Sequence, residues 1–321
     1  MENQKSAIYA NGVVSSLSKD LLSKEFLKKL AESKDVSQFC SLLQESAFFG
    51  AFNLEENDFD ETMKKVLIYL VDFVKNESPN LAFSKIFLLP FDYQNVYSFL
   101  TCELSNKNFE EFVDAEGNYS LNQIKEYIVS QKLDGFKNDF LKNAILFFER
   151  LKDENPIDSQ EIDTYFKQQL YKNMLKIVGH DKVLNGIVRT KIDIENISCA
   201  MRSKTQFELE GLYIQGGTLS KEDIKNVFLK KKIEVDDSNI ILKKFLKCAY
   251  DDKKVSSYSN FERMRNMVEI DILMTSEREV ESDVPFMLFC YKKLVEIKNL
   301  RLISSCIKNN INDKISKKLL L

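Results

Sequence analysis

The 321-residue sequence has no tryptophan, one histidine, four prolines and nine glycines. Each scarcity excludes something. Proline and glycine are the residues that interrupt helices, so a chain with so few of them reads as mostly helix. No proline falls between Pro156 and Pro285. His180, in a Gly-His-Asp stretch, has no second imidazole with which to build a zinc site or a relay, and reads as a surface or helix-break position. The phosphate-loop, His-Glu-x-x-His and Gly-x-Ser-x-Gly patterns are missing. No run of about eighteen apolar residues occurs, and residues 1–5 lead into no apolar signal segment. The expected setting is therefore cytosolic, or attached to a membrane only through partners.

Excess charge of either sign is also lacking. The 46 basic and 49 acidic residues give a formal net charge of −3, with no basic cluster interleaved with aromatics, which excludes the electrostatic footprint of a nucleic-acid binder. A polybasic surface helix for direct membrane attachment is absent as well. Six cysteines at 40, 102, 199, 248, 290 and 306 form no Cys-x-x-Cys and have no histidine neighbour, so reduced, buried thiols are expected rather than disulfides or metal ligands. No catalytic, cofactor-binding or metal-binding residue is assigned. The carboxylates lie among lysines at helical spacing, the pattern of solvated, salt-bridged faces. An enzyme built on a hidden carboxylate pair stands as the rival reading, and a free-standing helical scaffold as a third.

What is present is core-forming material and a repeat. Apolar residues make up 44% of the chain, 24 of the residues being phenylalanine, enough for a sizeable core. An acid, two residues and an asparagine occur as Asp92 and Asn95, as Asp193 and Asn196, and as Glu296 and Asn299. The asparagines stand 101 and 103 residues apart. A three-letter match is weak, so the flanks must agree. Gly117 precedes Ser120 and Ile124 with the same spacing that places Gly217 before Ser220 and Ile224. Each serine is an expected N-cap, with Gln123 or Asp223 three residues on to close a capping box. After the third copy, Asn312 offers a cap. Long helical patterns begin upstream near Asp60, Asp163 and Phe261. Three interleaved units follow, approximately 1–118, 119–217 and 218–321.

Several elements can be placed. Tyr9 to Leu22 and Lys24 to Ala31 read as helices, the second capped by Ser23; Asp35 to Glu45 and Asn57 to Asn76 repeat the helical spacing. Ser78-Pro79 breaks the fourth, and with Pro90 just before Asp92 the first unit is expected to depart most from straight helices. Leu121 to Leu151 is helical with a break at Gly135, and Glu161 to Lys204 is the longest pattern, bent or split at Gly179 and Gly186. Phe207 to Ile214 alternates briefly and is expected to hold at most a short strand. Helices follow at Ser220 to Lys232, Ser238 to Tyr250, Asn260 to Met274, Phe286 to Asn309 and Lys314 to Leu321.

The triplicated motif has two readings. Three asparagines around one axis could grip a single partner, or each could tie its helix to a neighbouring backbone group, with the acid three residues earlier on the same helix face. Arg189, Lys191 and Arg202 make the central copy basic, and with Arg301 beside the third asparagine they are candidate partner contacts; a solvated face is the alternative.

Taken together, Tyr9-Ala10-Asn11, Leu21-Leu22-Ser23, Arg189-Thr190-Lys191-Ile192-Asp193-Ile194-Glu195-Asn196-Ile197, Gly216-Gly217-Thr218-Leu219-Ser220, and Pro285 with Tyr291 through Glu296-Ile297-Lys298-Asn299-Leu300-Arg301-Leu302-Ile303 make the chain resemble the C subunits of prokaryotic A/V-type ATPases, the counterparts of the eukaryotic V-ATPase d subunit. Ser198-Cys199-Ala200-Met201 is less aliphatic than that family's usual stretch, and Gln215 stands where proline is common. Ser46 and Phe49 replace frequent threonine and tyrosine. The resemblance implies an all-α protein of three pseudo-threefold-related helical subdomains forming a funnel, present as one copy per complex and monomeric in isolation. It further implies a rotor component without catalytic centre or cofactor, peripheral on the cytoplasmic face of the membrane. Its implied partners are the central-stalk rotor subunits and the membrane rotor ring of proteolipid subunits, between which it would pass torque.

Overall fold

The computed structural model describes residues 5–51, 54, 58–105, 109–130, 132, 134, 136, 139–151, 159–236, 239–254, 259–276, 282–311 and 319–320. Among these residues the chain is helical, with no strand. In order the helices are α1 (Ala7–Leu17), α2 (Lys24–Ala31), α3 (Val36–Leu43), α4 (Phe59–Glu77), α5 (Leu81–Ser105), α6 (Leu121–Val129), α7 (Asp139–Leu151), α8 (Ser159–Val178), α9 (Lys182–Arg202), α10 (Gln206–Leu212), α11 (Lys221–Phe228), α12 (Ile240–Lys254), α13 (Ser259–Arg265), α14 (Val268–Thr275) and α15 (Val284–Lys308). No described helix is long and apolar enough to cross a membrane.

The chain forms two compact units, one of residues 1–81 with 257–321 and the other of residues 82–256. In the first, α1, α2, α3, α4 and α14 pack on α15, which buries residues on every side from Val284 to Ile307. A helix apolar all round belongs in a core. Phe73 stacks on Phe286 with ring centroids 5.4 Å apart and meets Phe289 edge-on at 5.8 Å. Pro285 stands in the first turn of α15, where its missing N–H leaves no bond unmade.

In the second unit α9 holds the same central place, packed by α8, α10, α11 and α12, and buries Leu184, Ile187, Val188, Ile192, Ile194 and Ile197. Phe166 of α8 meets the edges of Tyr93 and Tyr97 on α5 at 5.1 and 5.6 Å.

Local signals explain several helix ends. Ser6, Ser23, Asp35, Asp181 and Thr205 each accept a backbone N–H as N-caps, and Ser120–Gln123 and Ser220–Asp223 both close capping boxes. The long pattern from residue 161 splits at Gly179, whose φ of +51° is the left-handed conformation that ends helices, whereas α9 is continuous across Gly186. Ser78 turns the chain between α4 and α5, its hydroxyl donating to Asn80 O at 2.9 Å. The segment from 260 to 274 is two helices, α13 and α14, rather than one.

A further expectation is corrected. Residues 207–212 are helix, not strand: Thr205 accepts from the Glu208 N–H at 3.2 Å while the Glu208 carboxylate accepts from Lys204 N at 2.9 Å. Thr205-x-x-Glu208 is itself a capping pattern, and it overrides a brief alternation. Helix α5 continues through Pro90. An interior proline costs about 3 kcal/mol, but α5 buries Phe83, Ile86, Phe87, Leu88, Leu89, Val96 and Leu100, and each large apolar side chain contributes about 1.5–3 kcal/mol. Gly135, Asn312 and most of the expected helix from Lys314 lie outside the described residues.

Candidate functional site

The three acid-x-x-Asn copies lie inside α5, α9 and α15, and all six side chains are buried. Asparagine and aspartate are poor residues for a helix interior, because their side chains compete for backbone hydrogen bonds. Here that competition is turned outward, since the bonds go to backbone from elsewhere in the chain. The Asn196 amide Nδ2 donates to Ile214 O at 2.8 Å, and its Oδ1 accepts from Ile214 N at 2.8 Å. Asn299 exchanges the same two bonds with Leu320, at 2.7 and 2.8 Å. Asn95 donates to Ala115 O at 2.9 Å. Each asparagine thus does for a passing stretch of backbone what a sheet neighbour would do, satisfying groups that burial would leave unpaired.

One turn earlier the acid holds the entry to a capped helix. Asp92 accepts from Tyr119 N at 3.0 Å and from Asn118 Nδ2 at 2.7 Å. Asp193 accepts from Thr218 N at 2.9 Å, Leu219 N at 2.9 Å and the Thr218 hydroxyl. Tyr119 and Leu219 immediately precede the caps Ser120 and Ser220 of α6 and α11. Glycine is required at this approach: a Cβ on Gly117 would stand 2.3 Å from Asp92 Oδ1, and one on Gly217 2.1 Å from Asp193 Oδ1. Burial pushes the Asp193 carboxyl above the usual range, against the lowering effect of its bonds from Thr218 and Leu219 and of the Arg189 charge.

The third acid does the same work on a distant segment. Glu296 accepts from Leu22 N at 2.7 Å, and Leu22 immediately precedes Ser23, the cap of α2. The signal was present in the sequence. Leu22, Ser23 and Leu27 repeat the spacing of Tyr119, Ser120 and Ile124 and of Leu219, Ser220 and Ile224, an apolar residue before the cap and another four residues beyond it. Asp20, not glycine, occupies the place of Gly117 and Gly217. Glutamate is one methylene longer than aspartate.

The third copy also carries a cation. Lys293 Nζ lies 2.6 Å from Glu296 Oε1 with both side chains buried, and it sits 3.7 Å from the Phe48 ring centroid and 5.2 Å from that of Phe49. Leu89 and Thr190 occupy the corresponding places in the other copies. Leu17, Asp20, Phe48, Tyr69 and Phe289 line a cavity of ≈ 20 Å³ beside Lys293, room for about one water.

The basic candidates are dispersed in their roles. Arg189 is exposed on α9, but its guanidinium is occupied: Nε donates to Asn185 Oδ1 at 2.7 Å, and one terminal nitrogen donates to Gly216 O at 3.1 Å and Gly217 O at 3.4 Å. It thereby fixes the turn at Gly216, whose φ is +104°. Lys191 and Arg301 are half-buried, and Arg202 is exposed in the last turn of α9, where a cation suits the helix dipole. Among the described residues no group of three or more His, Cys, Asp or Glu could hold a metal. Cys40, Cys102, Cys290 and Cys306 are buried and Cys199 and Cys248 half-buried, all six outside any disulfide. The buried acids face backbone N–H groups and, in the third copy, a lysine.

The sequence profile of the ATP synthase (C/AC39) subunit matches residues 10–318. The C subunit of the A-type ATP synthase of Pyrococcus abyssi is 24% identical over 242 residues, 68% of this chain and 62% of that protein. The C subunit of the V-type sodium ATPase of Enterococcus hirae is 19% identical over 302 residues, 88% of each. The C subunit of the A-type ATP synthase of Methanosphaera stadtmanae is 20% identical over 323 aligned positions, 92% of this chain and 82% of that one. The matched stretch thus spans somewhat less than two thirds of the Pyrococcus abyssi relative and most of the other two. The profile match covers all three acid and asparagine pairs, and on that ground the chain belongs to the ATP synthase (C/AC39) subunit family, the C subunits of A-type and V-type ATPases.

Proposed function

We propose that this chain is a non-catalytic rotor subunit that joins the central stalk to the membrane rotor ring of a V-type ATPase and transmits torque for ATP-coupled ion transport. The observation that carries the reading is the family match over residues 10–318. In this reading the protein is a funnel of three helical subdomains, monomeric alone and present once per complex. It is peripheral on the cytoplasmic face of the membrane through the ring. The buried junctions support it physically. A coupling must resist twist, and side chains that bond backbone on a separate segment stiffen the joints between helices more than apolar contact alone, because hydrogen bonds are directional.

The test is removal of this subunit from its own complex. ATP hydrolysis by the detached head should persist while ion transport stops; loss of both together would contradict a torque link. A pull-down with the full chain should recover stalk and ring subunits. A free-standing scaffold would recover neither.

A further inference from the structure

The three junctions differ in how they close. Asp92 and Asp193 hold N–H groups 27 and 26 residues downstream, whereas Glu296 holds Leu22 across 274 residues. They differ also in what remains if the junction opens. The bonds to Asp193 come from Thr218 and Leu219, so parting would leave a buried carboxylate without donors. Glu296 keeps Lys293, on its own helix one turn earlier, whether or not Leu22 is present. A buried charge stripped of its partner is what makes such a separation expensive, and here the partner does not leave.

The segment held by Glu296 is thinly packed. Helices α1 and α2 bury five of their 19 residues, Ala10, Val14, Leu27, Leu30 and Ala31, against 17 of 25 in α15. Ile8 and Tyr9 are 57% and 50% exposed. Polar ties from residues 6–31 to residues 257–321 include the Leu22 bond and Asn11 Nδ2 to Ser282 O at 2.9 Å. Four residues separate α2 from α3, whose Val36, Phe39, Cys40 and Leu43 are buried.

We propose that residues 6–31 form a strap that opens and closes on α15 as one body, hinged at residues 32–35, with Glu296 as its catch and Lys293 as the cation that keeps the catch neutral while the strap is open. Segments with few buried apolar contacts open locally at free energies below that of global unfolding. The strap also forms late in folding, because a contact across 274 residues pays a larger loop-closure entropy than one across 26. The proposal rests on unit geometry alone and does not depend on the rotor reading.

Native-state hydrogen exchange on the full-length chain tests it. In the unaltered protein, amides of residues 7–31 should exchange together, about tenfold or more faster than those of 284–308. Glu296→Ala, made together with Lys293→Met so that no buried cation is stranded, should speed residues 7–31 by about a further tenfold, the loss expected when a charge-assisted bond to a backbone N–H goes, and leave residues 121–129 and 221–228 unchanged. Equal protection of 7–31 and 284–308 in the unaltered protein would overturn the strap. So would acceleration of every helix alike in the double variant. Should that variant not fold, Glu296→Gln keeps an acceptor of weaker strength and should speed residues 7–31 several-fold; no change there would equally remove Glu296 as the catch.

Discussion

Asp193 Oδ1 lies 2.1 Å from where a Cβ on Gly217 would be. Gly217→Ala should therefore displace the carboxylate from Thr218 and Leu219 and destabilise the protein by about 1–3 kcal/mol, the range for overpacking a tight site. Gly117→Ala should do likewise at Asp92. Gly186→Ala, with nothing within 4 Å of its added methyl in mid-helix, should stabilise by about 0.4–1 kcal/mol. Urea unfolding of the three variants checks the signs, and a stabilising Gly217→Ala would refute the close approach.

Removing an asparagine leaves its backbone partners unpaired. Asn196→Ala strands both polar groups of Ile214 and Asn299→Ala both of Leu320, whereas Asn95→Ala strands Ala115 O. At about 1–3 kcal/mol for each buried unpaired group, the first two should cost more than the third. The three share no hydrogen-bond partner, so a triple variant should show their sum. Thermal melts decide, with stalk binding measured alongside: unchanged melting with weakened binding in all three would assign the asparagines to a partner instead.

The buried Asp193 carboxyl makes stability depend on pH in a definite sense. Burial, opposed by the bonds from Thr218 and Leu219 and by Arg189, raises it above its usual value, so the folded state holds the proton more firmly than the unfolded chain. The resulting stabilisation is fully present below the unfolded carboxyl value of about 3.9 and is lost as pH rises through the folded value. The stability of the unaltered protein relative to Asp193→Asn should therefore shrink as pH is raised from about 4. A difference that grows over that range, in denaturant unfolding at stepped pH, would reverse the sign.

Arg189 ties the turn at Gly216 and Gly217 from an exposed position. Arg189→Ala should lower stability by about 1 kcal/mol or less, as solvent competes for such bonds, and should leave stalk affinity unchanged. Arg189→Lys, which lacks the fork that reaches two carbonyls and Asn185 together, should not restore the loss. A drop in stalk affinity at unchanged stability would make Arg189 a contact residue.

The all-helical character, the serine caps and both capping boxes were legible because their physics is local. A cap acts on an N–H three residues away, and scarce proline and glycine leave helices uninterrupted; the spacing of Gly117 and Ser120 with Gly217 and Ser220 therefore carried its meaning in the sequence itself. The alternation at Phe207 to Ile214 misled because a second local pattern, Thr205 with Glu208, outweighs it.

Reach over long distances was another matter. Nothing near Asn196 or Asn299 in sequence names Ile214 or Leu320 as the partner, since a side chain bonds whatever backbone the path of the chain brings beside it. Glu296 makes the division plain. Its spacing to Asn299 and to Lys293 is a property of the sequence, but its bond to Leu22 and the seat of Lys293 against Phe48 exist only once the fold brings those residues beside α15. The sequence alone determined the helical class, the serine caps and which acids and asparagines repeat, because those follow from interactions within a turn or two of backbone. The tertiary structure decided what each of them holds, because hydrogen bonds saturate with the nearest correctly oriented group and take no account of separation along the chain.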